Sequence, residues 1–217
     1  MAFKARVWWA ISVFAVAALS CSVLQGLPGI GGGGGSSDVL FEDDFSDDGS
    51  GWDRVDESDR VTDYRNGSYV IRVNDTSSDA WANPGKSFTD VRVEVDATKA
   101  DGDDNNNFGV ICRSEGVDDF YTLWISSDGF WAIVKIENGD LDFLADWETH
   151  DAIRQGDATN HIRADCVGDE LTLYANGTLL GSASDSAYSS GDVGLEAGTF
   201  DVPGTEIQFD NFVVYAP

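Results

Sequence analysis

"FYTLWISSDGFWAIVK", residues 120–135, decides the fold. Two runs of aromatic and β-branched residues alternate with period two on either side of Asp128-Gly129, a dipeptide that tolerates the positive φ of a tight turn. In the first run Tyr121, Leu123 and Ile125 share one face, while Phe120, Thr122 and Trp124 share the other. The first set reads as core. The second, Trp124 included, is expected on the concave side of a sheet.

The same texture recurs outward along the chain, at residues 68–73, 90–97, 108–113, 161–167, 171–177 and 207–215, with further turn dipeptides at Asn66-Gly67, Asn138-Gly139 and Asn176-Gly177. No amphipathic helix is legible after residue 25, and residues 145–156 are expected to hold at most one short turn. Many short strands joined by hairpins, without helices, predict an all-β, two-sheet antiparallel sandwich of jelly-roll type over residues 38–217.

Composition narrows the function. Thirteen Lys and Arg against 39 Asp and Glu leave a net charge of −26 in 217 residues. Nucleic acid is a poor partner for such a surface, because binding phosphates needs a basic footprint. An acidic exterior suits a saline or calcium-containing medium and equally a strongly solvated, aggregation-resistant surface.

The amino terminus predicts export. Lys4 and Arg6 precede Val7 to Leu19, an apolar run of the length of a signal-peptide hydrophobic region and short for a membrane span. Ala18-Leu19-Ser20-Cys21 closes it and resembles the lipobox of bacterial lipoproteins, with Ala18 where Leu is usual. That resemblance implies a signal peptide over residues 1–20, lipidation of Cys21 and anchoring of the mature chain to a membrane at the bacterial surface or envelope. An ordinary secretory signal or an uncleaved anchor are the alternatives. Residues 21–37, with five consecutive glycines, read as a flexible tether with a span of roughly 20 Å. In an exported chain, the pair Cys112 and Cys166 reads as a disulfide, with two buried thiols as the alternative.

"FEDDFSDDGSGW", "NFGVICR", "NHIRADCVGDELTLYANGTLLG", "GDVGLEAG" and "IQFDNFVVY", together with residues 120–135, resemble the concanavalin A-like (laminin G-like) jelly-roll superfamily. The chain is most similar to its bacterial exported 3-keto-disaccharide hydrolase-like domains, also called domain of unknown function 1080. The resemblance spans residues 38–217 and implies the fold. It implies function only broadly, since the superfamily holds lectins, glycan-binding modules, adhesion domains and glycoside-acting enzymes.

An enzyme of this fold would need paired carboxylates across the scissile bond. Glu94 and Asp96 share a strand face, but Lys99 stands where the superfamily's glucanases place a second glutamate. His150 and His161 show no triad spacing. A binding module needs aromatic faces and a few polar groups instead. The candidates are Trp81, Trp124, Trp131 and Trp147, with Tyr121 and Arg113 as polar partners; core packing for each Trp and an ion pair for Arg113 are the alternatives. The resemblance also implies a structural calcium ion near Asp44 and Asp210, tying first strand to last. The expected function is a surface-tethered glycan- or surface-ligand-binding module, against a glycoside-acting hydrolase or lyase, or a structural adhesion component.

Overall fold

A computed structural model describes residues 38–217. The expected signal peptide, Cys21 and the glycine tether lie outside the described residues.

Among the described residues, sixteen strands make two antiparallel sheets. The first sheet holds β1 (Val39–Asp43), β2 (Val55–Asp56), β3 (Arg60–Arg65), β4 (Ser68–Val73), β7 (Val91–Asp101), β12 (Asn160–Val167), β13 (Glu170–Ala175), β14 (Thr178–Ser184) and β16 (Thr205–Tyr215). The second holds β5 (Ser78–Ala82), β6 (Ser87–Phe88), β8 (Asn106–Ser114), β9 (Phe120–Ile125), β10 (Phe130–Glu137), β11 (Asp140–Thr149) and β15 (Gly191–Thr199). Their orders are β14-β13-β12-β7-β16-β4-β3-β2, with β1 also on β16, and β11-β10-β9-β8-β15-β5, with β6 also on β15. The long-range crossovers that bring β7 beside β16 and β8 beside β15 make this an all-β jelly-roll sandwich, as the sequence predicts.

Alternation sets the inner faces. Along β7, Val91, Val93, Val95 and Ala97 are buried and the residues between them are not. They meet Leu123, Ile125, Val110, Ile133 and Leu195 of the facing sheet in one core. Burying a side chain of this size is worth about 1.5–3 kcal/mol, so the two inner faces are the main driving force for sheet-on-sheet packing. Cys112 on β8 and Cys166 on β12 are disulfide-bonded across that core, stapling one sheet to the other.

The hairpins at Asn66-Gly67, Asn138-Gly139 and Asn176-Gly177 have positive φ at both residues, the geometry that matches strand twist. Residues 145–149 depart from expectation: they continue β11, an edge strand, and turns follow at residues 151–152 and 156–157. Polar residues such as Asp146 and Glu148 hide the strand signal because an edge strand is half solvated.

Candidate functional site

The seven-stranded sheet carries a second apolar cluster on the face turned away from the core. Ile111, Phe120, Trp124, Ala132, Val134 and Ile136 form it, and Trp81 and Trp147 pack against it. The period-two reading of β9 therefore places Tyr121, Leu123 and Ile125 in the core and Trp124 on the opposite face. Trp124 is nevertheless only 2 % exposed, so it is not a solvent-facing platform. Trp147 from β11 stacks over it, with ring centroids 5.8 Å apart and planes at 16°.

The aromatic contacts run on across the sheet. Trp81 packs on Phe120 at 5.7 Å, Phe143 approaches Trp124 and Trp147 at 6.4 Å, and Trp147 meets Phe200 edge-on at 6.0 Å. Depressions lie at both ends. One, of about 640 Å³, has Phe130, Trp147 and Phe200 as apolar walls and Ser126, Asp128 and Asp201 among its polar groups. The other, of about 490 Å³, is lined by Trp81 with Arg54, Arg60, Asp53 and Asp118.

A carboxyl group lies under the middle of this run. Glu196 on β15 stands in register with Trp81 of β5 on one side and Gly109 of β8 on the other, and Gly109 is in turn opposite Trp124. Its Oε2 accepts hydrogen bonds from Thr122 Oγ1 at 2.5 Å and Trp124 Nε1 at 2.8 Å. Burial, and secondly the neighbouring Asp79 carboxyl, push its pKa up to about 8. Asp79 is raised as well, by burial, although Asn107 Nδ2 donates to its Oδ1 at 2.8 Å and opposes the shift.

The structure thus joins three of the sequence candidates, Trp81, Trp124 and Trp147, on one face and separates the others from it. Trp131 is a core residue, because its side of β10 faces the opposite sheet. It lies so close to Gly181 of β14 that a Cβ there would stand 2.1 Å from the indole. Arg113 is 2 % exposed, and its guanidinium donates to the Thr89 and Tyr188 carbonyls and to Asp90. Those bonds tie together the chain segments at Thr89–Asp90 and Tyr188.

Asp44 and Asp210 are each engaged locally. Asp44 Oδ1 accepts from the Ser46 amide and hydroxyl, which lowers its pKa, and Asp210 Oδ1 accepts from the Asn211 amide at 2.7 Å. Among the described residues no group of three or more His, Cys, Asp and Glu side chains is arranged to hold a metal ion. Glu94 and Asp96 lie on the other sheet, where both approach His161, at 3.4 and 2.8 Å, and Lys99 turns to Asp104 and Asp157.

Sequence reasoning passed over Glu196, Asp79 and the rings of Phe143 and Phe200. A signal for Glu196 was present: in Gly194-Leu195-Glu196-Ala197-Gly198 the strand's core-facing residues flank a glutamate whose own face carries only glycine on either side. Nothing local marks Asp79 or Phe200.

No family model and no curated protein matches the sequence. Solved structures do resemble the fold. The carbohydrate-binding module CBM66 from Bacillus subtilis superposes with a TM-score of 0.63 at 20 % identity, over 76 % of this chain and 96 % of that one. A protein of unknown function with a galectin-like fold from Bacillus subtilis gives 0.59 at 12 %, over 82 % and 95 %. The GH43 protein BlXynB from Bacillus licheniformis gives 0.60 at 14 %, over 81 % of this chain and 39 % of that one. At these identities the likeness shows the galectin-like jelly-roll fold.

Proposed function

We propose that this protein is an exported glycan- or surface-ligand-binding module, held to a bacterial membrane through lipid on Cys21 and presented on its glycine tether. The observation that carries the reading is a set of aromatic rings on one sheet face, Trp81 with Phe120 and Trp124 with Phe143, Trp147 and Phe200, joined by one apolar cluster and flanked by a depression at each end. Pyranose rings stack on such faces, and the acidic and hydroxyl groups beside Trp147 suit sugar hydroxyls as hydrogen-bond acceptors. The carbohydrate-binding module among the similar structures supports it at the level of the fold.

A glycan-array screen of residues 38–217, with and without calcium, tests the reading. Saturable binding that weakens in Trp147→Ala supports it; silence on every glycan overturns the glycan reading and leaves a protein surface ligand or a structural adhesion role. A second reading, a glycoside-acting hydrolase of the 3-keto-disaccharide hydrolase-like type, draws on the Asp79 and Glu196 carboxyls beside the aromatic groove. Product analysis on any glycan that binds decides between them. The lipid anchor is tested separately, by mass spectrometry of the mature amino terminus and its loss in Cys21→Ala.

A further inference from the structure

A small pocket of about 150 Å³ lies between the Trp81 end of the aromatic run and Glu196. Asp79, Trp81, Asp118, Phe120, Trp124 and Glu196 line it, and the exposed side chains of Val117 and Leu141 form part of its rim. Its polar lining is one-sided: three carboxyl groups and no basic residue.

The donors nearby are already committed. Thr122 and Trp124 both donate to Oε2 of Glu196 and neither to Oε1. Asn107, 1 % exposed, gives its Nδ2 to Asp79, and its Oδ1 is buried with no hydrogen-bond partner. A Cβ on Gly198 would stand 1.9 Å from Asp79 Oδ1 and 2.4 Å from Asn107 Oδ1, so the two side chains pack directly over the glycine and fill the place a side chain would take. What remains is a surplus of buried acceptors around a carboxyl pair. Desolvated like charges are costly together, and buried acceptors are rarely left without donors.

A cation with several N–H or C–H donors offsets the carboxyl pair and gives Glu196 Oε1 a donor. Aromatic faces attract such a cation, most strongly the indole. A hard inorganic ion fits less well, since it takes six to eight oxygens and three of the six lining groups named are aromatic rings. We propose that this pocket receives the ammonium group of a ligand, between the indoles of Trp81 and Trp124 and against the carboxyl groups of Asp79 and Glu196. Resting on the glycan reading above, the ligand is a glycan that carries a free, unacetylated amino group.

Proton and ammonium then compete for the same oxygens. The titratable groups facing Glu196 are Asp79 from β5 and Asp118 from the connection before β9, with the permanently charged Arg54 and Arg60 in the adjoining depression that shares Asp79, Trp81 and Asp118; β8, β9, β10 and β11 present Asn107, Thr122 with Trp124, Ile136 and Leu141, which do not titrate in this range. With Glu196 raised to about 8, a permanently charged cation binds more tightly as the pH climbs through that value.

The test is isothermal titration of the purified protein with tetramethylammonium, glucosamine, N-acetylglucosamine and calcium, followed by acetylated and deacetylated chito-oligosaccharides. The expected result is binding of tetramethylammonium that strengthens about tenfold between pH 6.5 and 9, and a preference of about tenfold for glucosamine over its acetylated form. Glu196→Gln, folded by circular dichroism, is expected to weaken binding and flatten the pH dependence, and Asp79→Asn to weaken it independently. Absence of tetramethylammonium binding at pH 9 overturns the proposal, as does a calcium site sensitive to Glu196→Gln with no ammonium binding. Glycans that bind without preference for the free amine overturn it while leaving the glycan reading intact. Ammonium binding with no glycan bound supports the pocket and overturns the glycan reading instead.

Discussion

Trp124 on β9 donates its indole N–H to Glu196 on β15 at 2.8 Å, reaching across the intervening β8 at Gly109. The glycine is what permits the reach, since a residue with a side chain there would stand between the two, and an added Cβ would lie 1.9 Å from the Leu123 carbonyl oxygen. One hydrogen bond thus ties the centre of the sheet to the stacked pair Trp124 and Trp147 above it.

Glu196 makes stability depend on pH in the direction opposite to an ordinary salt-bridged acid. Its folded pKa of about 8 lies above the unfolded value, so the folded state holds the proton more tightly. Stability is full below the unfolded pKa and declines as the pH rises toward 8, where folding forces the carboxyl to stay protonated or to ionise in a buried site. Asp79, also raised, adds to the decline. In Glu196→Gln the slope in urea-derived unfolding free energy between pH 5 and 8 is expected to flatten; an unchanged slope contradicts the assignment.

Trp147 and Trp131 are expected to behave oppositely. Trp147 is half-buried on the open face, so Trp147→Ala should lower ligand affinity about five- to tenfold with a small change in stability. Trp131 is in the core, and Trp131→Ala should cost about 3–5 kcal/mol of stability through the cavity it leaves. Thermal melts and titration calorimetry on both variants read the two effects separately.

The disulfide closes a loop of 54 residues between the two sheets. In the chain-entropy picture its removal costs about 4 kcal/mol. For a domain of this size that corresponds to a fall in Tm of about 10 °C. Differential scanning calorimetry of Cys112→Ala/Cys166→Ala, or of the protein under dithiothreitol, measures it.

Gly198 is required by the two oxygens over it. Gly198→Ala places a methyl group against Asp79 and Asn107 and should push Asp79 off its amide partner. The expected outcome is a loss of about 1–3 kcal/mol of stability, as for other overpacked sites, seen by chemical denaturation.

The strands with strict alternation were legible because burial on one face writes itself into every second residue. β4 and β10 fall at the residues the pattern marks, and the Asn-Gly turns occur where the dipeptides stand. β11 was not legible, since an edge strand has only one neighbour and tolerates acids such as Asp142 and Asp146 along its length. The candidate site was legible only in part for a related reason. A tryptophan on a strand declares that it will be covered, not by what: Trp131 is covered by the opposite sheet, Trp124 by Trp147, and Trp81 only partly by Phe120.

The sequence by itself determined the all-β class and the inner and outer faces of each alternating strand, because those depend on the period of the pleat and on the sign of φ at a turn. Only the tertiary structure decided which face became the aromatic groove and which residues meet there. Strand order brings Asp79 of β5, Asn107 of β8, Thr122 and Trp124 of β9 and Glu196 of β15 together across gaps of up to about 120 residues. That order is set by crossovers and by the closing of a shared core, a long-range sum that no local stretch of chain contains.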